Sequence, residues 1–408
     1  MRKLGLAAAI GCLLSLFANQ SGSAQQAPEQ EVNLLSFANG ALVERASSIY
    51  NDSWDPFFLL LEDPQTGWTN AQGIKPPFEL VFSLPNRSEI RRVMFDTGAA
   101  ESPERSAKAI SIEVSDDGKT FRSAGSFELK ARLNDQQFAL PSPASGQFIK
   151  LIVKSNYGDD KYWELFNARA FGVPLENKPI PNVTGTYDNA FYGKFHLLQE
   201  GAQLTGCYES KGGLVQGGLE SHAMRLVWRE NTGKQGPAIM VLSRDGKLFK
   251  GAWRFDDETN WSKNWDLKKT SSDVGFCPHW KPKTASGNVV AASLADQGRV
   301  RLYGINFDID SDHIRADAKP AIDQLVAALK ANVSWKVMIE GHTDATGSDE
   351  HNRDLSNRRA ASVKAALVAA GIAADHLGSA GFGASKPVAS NDNEIGRAQN
   401  RRVEVARQ

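Results

Sequence analysis

The hydrophobic period of the chain changes once along its length, and this change limits the folds that the chain can adopt. Up to about residue 280, short runs such as 78–82 and 110–114 alternate apolar and polar residues, which is the two-residue period of strands with one buried face. From Val300 onward, strand-like runs alternate with stretches in which apolar residues recur every three or four positions. We therefore predict a multidomain protein that is all-β in its first part and α/β in its last part.

Two segments without a sustained period divide the chain further. Residues 173–183 contain Pro174, Pro179 and Pro181, which favour an extended linker that does not continue a sheet. Residues 282–297 are mostly small and polar and predict a second linker. The remaining segments, 30–172, 184–281 and 298–408, are each long enough to form a hydrophobic core of their own.

The N-terminus has the features of a secretory signal peptide over residues 1–24. Arg2 and Lys3 precede an apolar run over residues 4–17, and small residues follow up to Ala24. The run is shorter than the roughly 20 residues that a membrane-spanning helix needs, and no later stretch is longer. We therefore expect an exported protein with no transmembrane helix in its mature form.

The cysteines are consistent with an oxidising compartment. Cys12 lies inside the apolar run, so we expect it to be removed with the signal peptide; lipid attachment at Cys12 is the alternative. Cys207 and Cys277 remain, and a pair of cysteines in an exported chain predicts a disulfide. Such a bond would stabilise the middle segment by about 2–4 kcal/mol.

The charge balance excludes one large class of partner. The 47 basic residues are matched by 47 acidic ones, whereas binding to nucleic acid requires a basic surplus that displaces counterions from phosphates. We therefore do not expect a nucleic acid partner, and any anionic ligand must be bound by a few local side chains.

The first segment resembles the discoidin-type, galactose-binding-like jelly roll. The resemblance rests on NLL at residues 33–35, EDPQTGW at 62–68, VSDDGKTF at 114–121 and the closing stretch 166–172. It implies a jelly-roll sandwich that binds carbohydrate and a structural calcium ion bound by an acidic loop, in which Asp63 is the candidate ligand. Asn167 stands where the family has a glutamate ligand, and the alternative for Asp63 is a solvated turn carboxylate. No other cofactor is expected.

The middle segment predicts a meander of evenly spaced strands. Strand-like runs cover residues 194–199, 202–208, 225–229, 238–243 and 248–255, with turn residues at 200–201 and 245–246. Such a meander closes most simply into a small β-barrel or a curved sheet.

The second helix predicted in the last segment, about 349–370, has a cation in an unexpected position. At 100° per residue, Arg359 lies in the middle of the apolar face that includes Leu355 and Val363, and Asn352 lies on it one turn earlier. A guanidinium on a packing face needs a partner. Asp344, at the end of the preceding strand, is the candidate, and a purely structural Asp344–Arg359 ion pair is one interpretation.

The last segment also resembles the OmpA-like C-terminal domain found in MotB-type and Pal-type proteins. The resemblance rests on GHTD at 341–344, Asn352, Arg359, GFG at 381–383 and GRAQNRRV at 396–403. It implies an α/β sandwich that binds peptidoglycan without cleaving it. Asp344 would bind the amino group of diaminopimelate and Arg359 its carboxylate. Secondary contacts are implied for the polar side chains Thr343, Asn352, Asn400 and Arg401.

These features together predict a non-enzymatic protein of the cell envelope, located in the periplasm and associated with the cell wall or outer membrane. Peptidoglycan is the expected partner of the last segment, and glycans or outer-membrane proteins are the expected partners of the β segments. The alternative is an envelope enzyme that processes glycans and is attached to the wall by its last domain, which would need a carboxylate pair across a sugar-sized cleft.

Overall fold

The computed structural model describes residues 31–408 except 177, 179, 180, 221, 222, 259, 260, 281–287, 303, 309 and 393. The predicted signal peptide, including Cys12, lies outside the described residues. Within them, none of the helices has the length and apolar composition needed to cross a membrane.

The first unit is a jelly-roll sandwich, as predicted. Its strands are β1 (Val32–Asn33), β2 (Leu42–Ala46), β3 (Trp68–Thr69), β4 (Phe78–Asp96), β5 (Ala109–Ser115), β6 (Arg122–Glu128), β7 (Gln136–Val153), β8 (Glu164–Leu165) and β9 (Asn167–Pro174). The main sheet has the order β1-β9-β4-β7-β5-β6, with β2 beside β4, and all pairs are antiparallel. Shifts in register along the long strands β4 and β7 mark β-bulges, which bend strands. The core contains the fully buried rings of Trp68, Phe78 and Phe82.

The second unit is a closed eight-stranded barrel, so the barrel alternative of the prediction is confirmed. Its strands are β10 (Gly185–Asn189), β11 (Gly193–Glu200), β12 (Gln203–Tyr208), β13 (Gly213–Glu220), β14 (Ala223–Arg229), β15 (Gln235–Leu242), β16 (Leu248–Trp253) and β17 (Leu267–Ser271). Buried aromatic rings, including those of Tyr187, Phe195, Tyr208, Trp228 and Trp265, form its core. The predicted disulfide is present between Cys207 on β12 and Cys277, beyond β17.

The third unit is an α/β sandwich, as predicted. Its elements are α1 (Val289–Gln297), β18 (Arg299–Leu302), α2 (Lys319–Ala331), β19 (Val337–His342), α3 (Asp349–Ala369), β20 (Leu377–Gly381), α4 (Glu394–Asn400) and β21 (Arg402–Arg407). The sheet order is β18-β21-β19-β20, and α3 connects the parallel strands β19 and β20. Apolar residues of α1, α2 and α3 cover one face of this sheet.

The segments expected to be linkers contain regular structure. Strand β9 continues to Pro174, which is aligned with Ser88 of β4. Helix α1 occupies the second half of segment 282–297: the Asn288 side chain accepts a hydrogen bond from the Ala291 N–H, and Gly298 ends the helix in the left-handed conformation (φ 67°). Only two or three large apolar residues are needed to bury so short a helix, so its sequence has little periodic signal.

The first unit contacts both of the others. Arg225 of the barrel donates a hydrogen bond to the Ala38 carbonyl oxygen (3.0 Å), and Ala398 of α4 joins the apolar core of the first unit. The carboxylate of Glu62 lies 3.2 Å from the guanidinium of Arg397, also on α4. These contacts place the first unit beside the edge of the third unit where β19 ends.

Candidate functional site

A polar cleft of about 930 Å³ lies between the first and third units. Its third-unit side includes Thr343, Asp344, Asn352, Arg359 and Arg401, and its first-unit side includes residues of β1, β4 and β9. Acidic and basic side chains line it in nearly equal numbers. The cleft therefore suits a ligand that carries both charges.

The loop that follows β19 is held by hydrogen bonds from its own residues and from α3. The Thr343 N–H donates to the Gly383 carbonyl oxygen (3.0 Å), and the Thr346 N–H donates to the Asp344 carboxylate (2.8 Å). The buried Asn352 side chain donates to the Thr346 carbonyl oxygen (3.0 Å). Asn352 therefore lines the cleft, as implied, and also fixes the position of the loop that carries Asp344.

Asp344 is paired with Arg401. An Nη atom of Arg401 donates to the Asp344 carboxylate at 2.6 Å, and Asp344 is only 7% exposed. Burial acts to raise the pKa of this carboxyl, but the hydrogen bond and charge of Arg401, together with the Thr346 N–H, outweigh it, and the pKa lies below its usual range. Asp344 is therefore an anion at neutral pH.

Arg359 does not make the predicted ion pair with Asp344. Its Nε donates to the Ser311 carbonyl oxygen (2.8 Å), and its guanidinium lies 4.9 Å from the centroid of the Phe307 ring. The buried stripe of α3 runs through Ala360 rather than through Arg359, which is at its half-buried edge. Carbonyl oxygens and an aromatic face satisfy the cation there, so no carboxylate partner is needed.

Asn400 does not line the cleft. It is fully buried, and its side-chain oxygen accepts hydrogen bonds from the N–H groups of Val388 (2.8 Å) and Ala389 (3.1 Å). Its amide donates to the Asn391 side-chain oxygen (3.0 Å), which also accepts from the Ala345 N–H (3.0 Å). Asn400 is thus a positioning residue, connected through Asn391 to the loop of Asp344.

Two residues that line the cleft also carry buried polar atoms without partners. His342 is 2% exposed, and neither of its ring nitrogens has a hydrogen-bond partner; the Thr343 hydroxyl is also buried without one. The His342 ring stacks on Phe382 with centroids 5.4 Å apart. Burial, and next the charge of Arg402, lower the pKa of His342 to about 4, so this histidine is neutral.

The candidate metal ligand Asp63 lies in a turn, where its carboxylate accepts a hydrogen bond from the Gln65 N–H (2.9 Å). Among the described residues, the only group of three side chains that could hold a metal ion is formed by Glu340, His342 and Glu404. Arg299 already donates to both of these carboxylates, at 2.6 and 2.7 Å. Asp63 is not part of that group, so its role as a calcium ligand stays a prediction.

The first-unit side of the cleft contains residues that the sequence did not single out. Arg169 and Phe171 of β9, Met94 of β4 and Asp135 line it. Their strand period shows only that they lie on one face of a sheet, because docking between units leaves no periodic signal in the sequence.

Comparison with known proteins agrees with these folds. Residues 306–401 match the model of the OmpA family, and residues 44–166 match that of the F5/8 type C domain. The chain is 36% identical over 145 residues to a peptidoglycan-associated lipoprotein of Pseudomonas aeruginosa, covering 35% of this chain and 85% of that protein. The chain belongs to the OmpA family.

Other relatives of the OmpA-family unit are longer proteins that the chain matches only in part. Outer membrane porin F of Pseudomonas aeruginosa is 35% identical over 147 residues, which cover 34% of this chain and 42% of the porin. The chain thus spans less than half the length of this relative. The first unit is similar to the family 32 carbohydrate-binding module of Streptococcus pneumoniae EndoD, at 18% identity and a TM-score of 0.30, covering 35% of this chain and 99% of that module.

Proposed function

We propose that the OmpA-family unit binds peptidoglycan without cleaving it, and that Asp344 and Arg359 bind the zwitterionic end of a diaminopimelate residue in the peptide stem. The observation that carries this proposal is that an anion and a cation line the same cleft while each is held by partners other than the other. Asp344 can bind the ligand ammonium group and Arg359 the ligand carboxylate.

Electrostatics near Arg359 supports an anionic ligand group. Burial lowers the pKa of Arg359, and the nearby positive charge of Arg401 adds to that effect, although a guanidinium stays protonated in proteins. A carboxylate that enters between these arginines removes like-charge repulsion and forms charge-assisted hydrogen bonds, the stronger class of such bonds. The planar guanidinium fork can bind both of its oxygens.

The comparisons support an envelope location and a binding role. The matched relatives are a peptidoglycan-associated lipoprotein and an outer membrane porin, so we place the chain in the periplasm at the outer membrane and cell wall. The F5/8 type C match supports carbohydrate binding by the first unit. Binding modules on one chain gain avidity when both sites can be occupied together.

Sedimentation of purified protein with isolated sacculi tests the proposal. We expect the mature chain to be retained in the pellet without release of soluble muropeptides, and we expect Asp344→Ala and Arg359→Ala to abolish retention. Arg358→Ala is the matched control, because Arg358 neighbours Arg359 but binds Asp354 and Asp312 and does not line the cleft. Retention of both cleft variants would contradict the site, and released muropeptides would contradict a non-enzymatic role.

A further inference from the structure

The first-unit side of the cleft is formed by one face of the sheet that contains β4 and β9. Arg169 and Phe171 are two residues apart on β9 and therefore share a face. On the neighbouring strand β4, Met94 is aligned with Arg169, and Arg92 is aligned with Phe171. We call the part of this surface that lines the cleft, Met94, Arg169 and Phe171 with the adjoining Asp135, the sheet wall; Arg92 lies beside it.

Each cation at the sheet wall is paired with at least one carboxylate. The Arg92 guanidinium lies 3.7 Å from the centroid of the Phe171 ring and 2.7 Å from the Glu31 carboxylate. Arg169 pairs with Asp96 at 2.6 Å and with Asp135 at 3.1 Å. Arg169 is shared by two carboxylates, so the sheet wall keeps one net negative charge and presents fixed hydrogen-bonding groups beside an aromatic ring, which suits a ligand rich in hydroxyl and amide donors.

The cleft is also larger than an amino acid head group requires. Sites for small molecules start at about 300 Å³, and this cleft has about 930 Å³. The residues that line it include Arg169 and Asp135 of the sheet wall, whose side chains can bind hydroxyl and amide groups. A ligand that extends from Asp344 towards the first unit would have both the space and the polar groups to bind.

We propose that the cleft is one composite site, in which the sheet wall binds the amino sugars that carry the stem peptide held by the third unit. This rests on the proposed function, because the peptide must first be bound at Asp344 and Arg359. A stem peptide of peptidoglycan is covalently attached to a sugar, so its binding brings that sugar close to the sheet wall at a high effective concentration.

Titration calorimetry with two synthetic ligands tests the composite site. The full mature chain is titrated with the free stem tripeptide, which ends in meso-diaminopimelate, and with the same tripeptide attached to its disaccharide. We expect the disaccharide to strengthen binding about tenfold in the wild type, which corresponds to roughly 1.4 kcal/mol, because its sugar rings gain a contact with the Phe171 ring. Asp344→Ala should weaken binding of both ligands.

Two variants of the sheet wall separate a sugar contact from a loss of folding. Phe171→Ala removes the ring, and Asp135→Gly removes an exposed carboxylate at a position whose left-handed backbone (φ 54°) suits glycine. Both should reduce the advantage of the disaccharide to about twofold or less and leave the affinity for the free tripeptide unchanged. The control is Phe191→Ala on the barrel, which removes a 72% exposed ring that does not line the cleft.

The outcomes distinguish this inference from the proposed function. Equal affinity of the wild type for the two ligands, or a disaccharide advantage that both wall variants retain, would overturn the composite site. Tighter binding of the disaccharide by Phe171→Ala would also overturn it, because the sheet wall would then obstruct the sugar. Tripeptide binding that survives Asp344→Ala would instead contradict the proposed peptide site.

Discussion

Arg401 donates a hydrogen bond of 2.6 Å to Asp344, and through it the acid of the cleft is held as a buried anion. Arg359 instead donates hydrogen bonds to the carbonyl oxygens of Ser311 and Asp308, in the loop before α2, and does not pair with Asp344. A zwitterion that binds to Asp344 and Arg359 as proposed would therefore not have to break a direct ion pair between these two residues.

Removing Arg401 should make ligand binding more sensitive to acid. In Arg401→Gln, burial of Asp344 would act without the lowering effect of the arginine, so the pKa of Asp344 would rise. We expect the variant to lose affinity for the free stem tripeptide at a higher pH than the wild type as pH falls. Calorimetric titrations from about pH 7 to about pH 4 would measure this; Arg122→Gln, at an exposed pair in the first unit, is the control. Identical pH profiles would contradict the role given to Arg401.

Charge alone should not replace Arg359. Arg359→Lys keeps the cation but loses the planar fork, so it cannot bind the Ser311 carbonyl oxygen and both oxygens of a carboxylate together. We expect sacculus retention to fall by about tenfold or more, consistent with roughly 1.5–3 kcal/mol for a charged hydrogen bond. Arg358→Lys on the same helix should retain binding. If Arg359→Lys is retained on sacculi as well as the wild type, the prediction that Arg359 binds both oxygens of the ligand carboxylate is wrong.

Neutral His342 should make the third unit less stable in acid. Its pKa is lowered to about 4 from 6.5, so between these values the unfolded chain binds more protons than the folded one. The neutral His342 makes its full contribution to the free energy of unfolding above about pH 6.5. This contribution, roughly 3 kcal/mol in all, is lost as the pH falls towards 4.

The variant His342→Phe should reduce this acid sensitivity. It can keep the ring contact with Phe382 and loses no hydrogen bond, because neither ring nitrogen has a partner. Calorimetry of the full chain would measure it, using the transition that shifts when the stem tripeptide is added. His376→Gln is the control, and an unchanged pH slope in His342→Phe would contradict the buried neutral histidine.

The sequence was sufficient to predict features that depend on period and motif. Helix α3 extends from Asp349 to Ala369, close to the predicted 349–370, because its caps and apolar spacing are local. The Cys207–Cys277 bond also followed from the compartment and the count of cysteines, whereas the strand spacing left a barrel and a curved sheet open for the second unit. The bounds of α3 and the disulfide need no knowledge of how distant segments pack, whereas closure of the barrel depends on the pairing of β10 with β17.

Partners that depend on packing could not be predicted. Asp344 lies near two arginines, Arg359 and Arg401. It pairs with Arg401 because of the way in which β21 lies beside β19. Asn400 was expected in the cleft, but its amide is used by the loop at residues 388–391. Side-chain direction at the end of a short helix is not given by sequence spacing.

Removal of the disulfide should destabilise the barrel without affecting the cleft. The double variant Cys207→Ala/Cys277→Ala leaves no free thiol at this site and releases the segment after β17 from β12. We expect a loss of about 2–4 kcal/mol in the free energy of unfolding of the barrel, seen as faster hydrogen exchange in β11 and β12. Retention on sacculi should be unchanged. Wild-type exchange rates in the barrel would contradict the stabilising role.

The contact between Glu62 and Arg397 should couple the first unit to the third. The Glu62 carboxylate lies 3.2 Å from the Arg397 guanidinium, and the side chains of Glu62 and Arg397 are only 9% and 22% exposed, respectively. Arg397 also donates to the Asn391 carbonyl oxygen (3.0 Å), so it connects the first unit to the loop that supports Asp344. Neutralising one partner removes the Glu62–Arg397 ion pair but keeps the desolvation cost of the remaining charge, whereas neutralising both removes that cost as well.

A double-mutant cycle with Glu62→Gln and Arg397→Gln measures this coupling. We expect the double variant to be more stable than the sum of the single effects predicts, by about 1–2 kcal/mol, in calorimetry and in hydrogen exchange of α4. The exposed pair of Asp116 and Arg122 is the control and should give a coupling energy of about 0–1 kcal/mol. Additive effects at Glu62 and Arg397 would mean that this pair does not hold the units together. A coupling of the expected size would mean that the sheet wall stays beside Asp344 and Arg359 in solution, as a composite site requires.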